Sequence, residues 1–534
     1  MSDPTPTNEL LIDNPFAVLI YPFRHEVCGA ERSQRLERLG ACWLPWWTRF
    51  PPDQVQAAID DTLFFLPYVR ELLFPELEID WPVAGASTPT PLSERLLGFT
   101  PRALAALPAD ALLRLSFNAN HLKHLKHVSL DLERSDGAAK VIECFHFPFE
   151  LCWVDVTLFP QNVGFLSLKV RLRDSTPSVA DLRDFFRLIR LVHPPRVNWA
   201  LASWKGQSDS GSFSFTGRDL LDYMLQGLAG SLETIEPDLF EYLDRLSSRG
   251  DVHRYTGTAH GQTYGQIFNI FAFGLLKHSA SPLPGPAQAA VEPGVESALF
   301  DLPSNEALYE LATCTNSANP DFVPARAYLD HLWSRSLFAR WDNWQALVLN
   351  DNAVFLAMRD TGFTRFALGQ NVENDYLHLY LLALYQKMRL SLMVGEQMMR
   401  DSQLHQNLKK ARQLWNSFLA FQDHFWFREA TRSRQGTDLY HHFQEALDVI
   451  ALHQQLSAQV RELQDHYEGK YERRLARLIN LITFIGMPTS FVLSLFGHVF
   501  VPTGLTTHLA ICYSVLIYAG FFALWRVWTH YLPE

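Results

Sequence analysis

Hydrophobic positions fall into three regimes along the chain. In the first 370 residues they come as short dense runs and amphipathic stretches separated by turn-forming residues. Phe16 to Phe23 (FAVLIYPF) predicts a buried strand, and Val141 to Leu172 is the strongest β region, broken by a turn at Pro160-Gln161-Asn162. A helix is predicted from Pro52 to Leu73, where Val55, Ile59, Leu63 and Leu66 recur at helical spacing. A second helix is predicted over Val179 to Val192, with Leu182, Phe185, Phe186 and Ile189 on its buried face and Pro194-Pro195 ending it. Trp344 to Met358 fits a β-hairpin turning at Asn350-Asp351-Asn352. The proline-rich stretch Pro82 to Pro101 reads as a connection, and Lys205 to Gly217 and Ser279 to Gly294 read as loops.

From about Glu373 onward the pattern becomes almost wholly helical. Leu439, Phe443, Leu447, Ile450, Leu456, Val460, Leu463, Tyr467, Tyr471, Leu475 and Leu478 recur every three or four positions or nearly so, without an interrupting proline. One helix from about Thr437 into the following segment would measure on the order of 90 Å. The third regime follows: Leu478 to Trp525 is a run of 48 residues without Asp, Glu, Lys or Arg. It holds two apolar stretches, about 478–499 and 509–527, each near the ~20 residues a helix needs to cross a bilayer. Pro502 and Gly504 suit a tight turn between them, and Tyr513, Tyr518, Trp525 and Trp528 suit interfacial anchors.

The expected organisation is therefore an α/β cytosolic body over 1–370, with a subdomain linker near 279–303. A helical stalk region over 371–477 and a two-helix transmembrane hairpin over 478–528 complete it. Lys470, Arg473, Arg474 and Arg477 precede the first span and Arg526 follows the second, so the positive-inside rule places both termini in the cytoplasm of a multi-pass inner-membrane protein. Asn480, Thr483, Met487, Ser490, Ser494 and Gly497 share one face of the first span, where polar and small side chains mark a helix contact or a water path.

Composition changes this picture little. The net charge of −11 argues against direct nucleic-acid binding. The six cysteines form no CxxC pair, and the N-terminus lacks a secretory signal, so a reducing compartment suits the body.

The segment Asn480 to Phe500 (NLITFIGMPTSFVLSLFGHVF) resembles the first span of the CorA family of divalent-cation transporters. Pro488 matches that family's mid-span proline, and Gly497-His498-Val499-Phe500 stands where the family has Gly-Met-Asn and an aromatic. The resemblance covers about residues 371 to 528 and implies a homopentameric funnel with five copies of the first span around a pore. The cargo it implies is a divalent cation such as Mg²⁺, Zn²⁺, Ni²⁺ or Co²⁺. Val499 in place of the family's Asn removes an amide oxygen that would meet a hydrated Mg²⁺. His498 would instead set a ring of imidazoles at the outer mouth, suited to Zn²⁺ or to pH sensing. A subset of CorA-like proteins are membrane effectors of type III CRISPR defence opened by a nucleotide second messenger, and the enlarged body fits that subset. A membrane-anchored scaffold without conduction is the remaining alternative.

Three weaker patterns complete the reading. His121, Lys123, His124, Lys126 and His127 would share a helical face able to hold a metal or an anionic nucleotide, or simply be a solvated basic face. Gly257 to Gly265 spaces three glycines before the apolar run Ile267 to Leu276, as a loop that could cap a helix and cradle phosphate. Asp438 with His441 and His442 reads as a solvated helix start. No catalytic motif is present at recognisable spacing, so no chemical step is expected.

Overall fold

The computed structural model describes residues 10–25, 42–77, most of 107–135, 141–192 and 203–228, then 267–277, most of 303–398, 408–495 and short stretches between 512 and 523. Twelve strands are present among them: β1 Leu11–Arg24, β2 Trp43–Pro45, β3 Leu113–Phe117, β4 Val128–Ser135, β5 Val141–Phe159, β6 Val163–Leu172, β7 Ser203–Ser208, β8 Gly211–Phe215, β9 Asn269–Lys277, β10 Leu337–Trp341, β11 Trp344–Val348 and β12 Asn352–Ala357. They form one sheet in the order β10-β11-β12-β9-β1-β6-β5-β4-β7-β8, with β3 joined to β5 and β2 to β3. Among the described residues every pairing is antiparallel except β9 with β12. The chain is thus a mixed α/β protein built on a large, mostly antiparallel sheet.

The strongest sequence signals became the centre of that sheet. β1 lies between β6 and β9 and is longer than the predicted strand. β5 and β6 form the predicted hairpin, with Gln161 of its turn at a positive φ of 67°. Gly164 of β6 pairs with Phe23 of β1, and a β-carbon there would lie 2.6 Å from the Phe23 ring, so only glycine allows this approach. The hairpin turning at Asn350–Asn352 is β11–β12, closed by the Leu349 N–H donating to the Asn352 carbonyl at 2.6 Å.

The two faces of the sheet differ around β3, β5 and β6. Leu113, Leu115 and Phe117, Val154, Val156 and Leu158, and Leu166, Leu168 and Val170 belong to the main core. The helix α3, Val179–Ile189, packs into this core through Phe185, Phe186 and Ile189, and the Ser178 side chain caps its start. The opposite face presents Arg114 and Ser116, Asp155 and Thr157, and Ser167 and Lys169, all of them buried.

Several expectations are corrected. The helix from Pro52 to Leu73 is two short helices, α1 Val55–Asp61 and α2 Pro67–Leu73, with a 3₁₀ turn at Thr62–Phe64. Pro67 forces Leu66 into an extended conformation (φ −63°, ψ 149°) and restarts the helix, leaving Leu63 exposed. The Lys205–Gly217 loop is instead the edge hairpin β7–β8, followed by α4, Gly217–Met224. Ile267–Leu276 leads into strand β9 rather than a helix, so no phosphate-cradling helix end follows the glycines. Of the His121–His127 pattern, His121 lies in a turn after β3 and His127 in a bend before β4. Lys123, His124 and Lys126, the Gly257–Gly265 pattern, and the stretches Pro82–Pro101, Pro194-Pro195 and Ser279–Gly294 lie outside the described residues.

Beyond α5 (Pro303–Thr313) and α6 (Arg326–Ser336), the chain becomes helical at Phe363. Two π-helical turns, Phe363–Ala367 and Val372–Tyr376, flank a short α segment and lead into α7, Leu377–Met398. Then come α8 Leu408–Phe425, α9 Arg434–Ala446 and α10 Val449–Leu495. The single helix expected from Thr437 is interrupted, because Asp448 adopts a left-handed conformation at φ 60° between α9 and α10. α10 alone has 47 residues, about 70 Å.

The chain divides into two compact units, Met1–Leu392 with Phe421–His453, and Met393–Ala420 with Gln454–Glu534.

Candidate functional site

The predicted pore face lies on α10. Asn480, Thr483, Ser490 and Ser494 are all on this helix with exposed side chains, and the Ser490 hydroxyl donates back to the Gly486 carbonyl at 2.8 Å. Met487 is in the same helix, and Gly497, His498 and Val499 lie outside the described residues. The apolar stripe of α10 changes environment along its length. Leu456, Val460 and Leu463 are 0%, 7% and 7% exposed, whereas Leu475, Leu478, Ile479 and Ile482 are 46–65% exposed. Val515, Leu516 and Phe522, in the helical stretches beyond, are 55–66% exposed. Among the described residues no helix is long and apolar enough to cross a membrane. The uncharged run of the sequence continues past Leu495 into residues outside that description.

A second site, which sequence reasoning missed, lies within the first unit on the polar face of the sheet. The second π-helical turn, Val372–Tyr376, the start of α7 and the segment from Trp46 to Phe74 line a small open cleft. Trp46, Phe50, Phe65 and Phe74 form its apolar walls, and Arg49, Asp61, Thr62, Asn374, Asp375 and His378 are its polar lining. The segment carrying α1 and α2 is held by the chain near residue 430: Leu66 N–H donates to the Ala430 carbonyl, and the Thr431 hydroxyl donates to the Phe64 carbonyl.

Beneath the cleft runs a connected set of buried charges. The Lys169 ammonium donates to Glu373 at 2.5 Å, and the Trp153 indole donates to the other oxygen of the same carboxylate at 2.9 Å. Arg49 lies over the Trp153 ring at 4.7 Å and donates to Asp155 at 2.5 Å, while the Ser116 hydroxyl donates to the second Asp155 oxygen. Arg114 lies over the rings of Trp46 and Phe74 at 5.0 and 4.8 Å, and its Nη1 has no hydrogen-bond partner among the described residues. The Trp46 indole donates to Glu76, which is 2% exposed.

Burial moves several of these groups far from their ordinary titration. It raises the Glu76 carboxyl to about 7, against the opposing pull of Trp46 and Arg114. It lowers the Arg114 guanidinium to about 10, opposed by Asp155. Burial, with the nearby positive charges of Arg114 and Arg49, holds His378 well below the usual histidine range, so this imidazole is neutral. At the mouth, burial and then the neighbouring Asp61 carboxylate raise Asp375 to about 7. Asp61 is itself raised by burial, although the Asn374 amide donates to it at 3.2 Å.

The Asp438, His441 and His442 group is only partly the solvated helix start expected. Asp438 pairs with Arg340, but His442 is largely buried against Phe338 and hydrogen-bonded to the Ser336 carbonyl. The described cysteines Cys42, Cys152, Cys314 and Cys512 are all free thiols. Comparison with family models, curated proteins and solved structures gives no match.

Proposed function

We propose that this chain is an ion-conducting membrane protein of CorA-like type, with the C-terminal hairpin as its membrane domain and α10 as the stalk that becomes its first span. The observation that carries this reading is the change along α10. One unbroken helix buries its apolar stripe at Leu456, Val460 and Leu463 and then exposes apolar side chains from Leu475 onward. Exposed apolar surface of that extent, on a helix entering a 48-residue run without formal charge, calls for lipid or neighbouring helices as its cover. Asn480, Thr483, Ser490 and Ser494 then fall on a face suited to a water path, as in a homopentamer with five first spans around an axis. Passage of the helix through Pro488 accords with this, since the lost backbone hydrogen bond is better tolerated in a membrane bundle than on an isolated soluble helix. Both termini and the α/β body belong on the cytoplasmic side, and the substrate class is a cation.

The test is flux through the full chain reconstituted in liposomes, with Mg²⁺, Zn²⁺, Ni²⁺ and Co²⁺ in turn, with and without adenylate-type nucleotides. Flux without nucleotide supports a transporter, and flux only with nucleotide supports a gated effector. No flux in either arm, or a chain monodisperse in plain buffer without detergent, ends the membrane-conduction reading.

A further inference from the structure

We propose that the basic stripe of α10 formed by Lys470, Arg473, Arg474 and Arg477 is a docking surface for the anionic headgroups of phospholipids. The inference rests on the membrane reading of this helix and adds to it a lipid partner of defined charge. All four positions belong to one helix within the second unit.

The spacing of the charges leads to this partner. Positions 470, 473, 474 and 477 stand at i, i+3, i+4 and i+7, so the four share one face of the helix. None has an acidic residue three or four positions away on either side, so the ion pairs that usually run along a helix face are missing. The residues at those spacings are instead one another, Lys470 beside Arg474 and Arg473 beside Arg477. The acidic residues of this stretch, Glu468 and Glu472, stand about half a turn away on the opposite face. Arg473 and Arg477 are exposed, and neither forms an ion pair among the described residues. The Arg473 Nε–H donates to the Gly469 carbonyl, one turn back along the same helix, at 3.0 Å. Like charges held side by side repel, and only a negative partner from outside the helix relieves them.

Position along the helix selects the kind of anion. Arg477 is followed at once by Leu478, the first residue of the uncharged run, and Leu478, Ile479 and Ile482 are exposed. From 470 to 477 the helix rises about 10 Å, enough to cross the headgroup layer on one side of a bilayer. An acidic protein would satisfy the charges but leave the adjoining apolar side chains uncovered, whereas an anionic bilayer covers both. Guanidinium groups also match the oxygens of a phosphodiester in geometry. The stripe stands about a third of a turn from the face of Asn480, Thr483, Ser490 and Ser494. Turning that face to a water path therefore leaves the basic stripe free for headgroups.

The experiment is electron spin resonance of lipid probes around the full chain reconstituted in phosphatidylcholine vesicles. The probes are phosphatidylglycerol and phosphatidylcholine, each spin-labelled on an acyl chain. A motionally restricted component from the phosphatidylcholine probe reports that the chain is in the bilayer, whatever its headgroup preference. Phosphatidylglycerol is expected to associate at least about threefold more strongly than phosphatidylcholine, and less so as salt is raised. Arg473→Gln combined with Arg477→Gln should cut that ratio to about half or less, and Arg473→Lys combined with Arg477→Lys should keep it. Arg461→Gln, exposed on the same helix more than two turns before the stripe, should leave it unchanged. Equal association of the two probes in a sample that shows the restricted component overturns the lipid inference and leaves the membrane reading standing. The absence of a restricted component from either probe ends both. A ratio unchanged in the glutamine pair also overturns the assignment. So does a preference abolished by sodium phosphate but not by sodium chloride of equal ionic strength, which would make the partner free phosphate. Equal lipid association with loss of self-assembly in the glutamine pair would give the stripe to the acidic face of a neighbouring copy instead.

Discussion

The Lys169 ammonium and the Glu373 carboxylate, 204 positions apart in sequence, meet at 2.5 Å with side chains only 8% and 21% exposed. The pair ties β6 to the π-helical turn that covers the polar face of the sheet. Removing one partner leaves the other charge desolvated, so Glu373→Ala should destabilise the first unit on the order of 3 kcal/mol. Chemical denaturation followed by tryptophan fluorescence measures it, and a loss below about 1 kcal/mol would place the pair in effectively aqueous surroundings.

The same pair has a pH signature. Burial alone would raise the Glu373 carboxyl, but Lys169, Trp153 and Arg49 together outweigh it and hold the group below its ordinary 4.5. A depressed folded-state value contributes stability above the unfolded value, and that contribution disappears as pH falls through the folded one. Acid unfolding of the wild type should therefore steepen below about pH 4.5, and Glu373→Gln should lose this component.

Asp375 acts in the opposite sense. Its folded value is raised from 3.8 to about 7, so its contribution is fully present below 3.8 and is lost as pH rises toward 7. Asp375→Asn should leave stability near pH 4 almost unchanged and increase it above pH 7 by one to a few kcal/mol, roughly. Melting temperatures of both proteins across that window decide the matter. Parallel curves would mean that the carboxylate is well solvated, or already paired with a cation, in solution.

These groups were poorly legible in the sequence, for a physical reason. Asp155, Thr157, Ser167 and Lys169 alternate with apolar neighbours, which is how a strand reads when one face meets water. Here that face is covered by Arg49, 106 positions from Asp155, and by Glu373, 204 positions from Lys169, and no local pattern announces the cover. The cleft residues are equally scattered, from Trp46 to His378. Features governed by local chemistry were legible: the β5–β6 hairpin, the hairpin at Asn350–Asn352, and α3 beginning beside Pro177. The hairpin β7–β8 was not, because Ser and Gly have weak strand preference. It forms by pairing with β4, with Trp204 and Phe215 buried at 1% and 3%.

The membrane proposal makes a direct demand on α10. Ser490 shares a face with Asn480, Thr483 and Ser494, and its side chain is exposed. Ser490→Leu should reduce cation flux in liposomes at least about tenfold by placing a bulky apolar group on the water path. Expression and helicity should be unchanged. Undiminished conductance would assign the stripe to helix packing.

The break between α9 and α10 rests on one residue. The apolar rhythm passes through Leu447 and Ile450 as if the helix continued, yet Asp448 sits at φ 60° and the helix restarts at Val449. Its ion pair with Arg335 joins side chains 39% and 47% exposed, so that contact contributes little, and backbone tolerance matters more. Asp is among the few residues that adopt this conformation readily, whereas Ala pays roughly 1 kcal/mol and a β-branched residue more. Denaturation midpoints should therefore order Asp448→Gly at or above wild type, then Asp448→Ala, then Asp448→Val. Midpoints for Ala and Val equal to wild type, with a gain in circular-dichroism helicity, would instead show that α9 and α10 can fuse and that the break is not required by the packing around it.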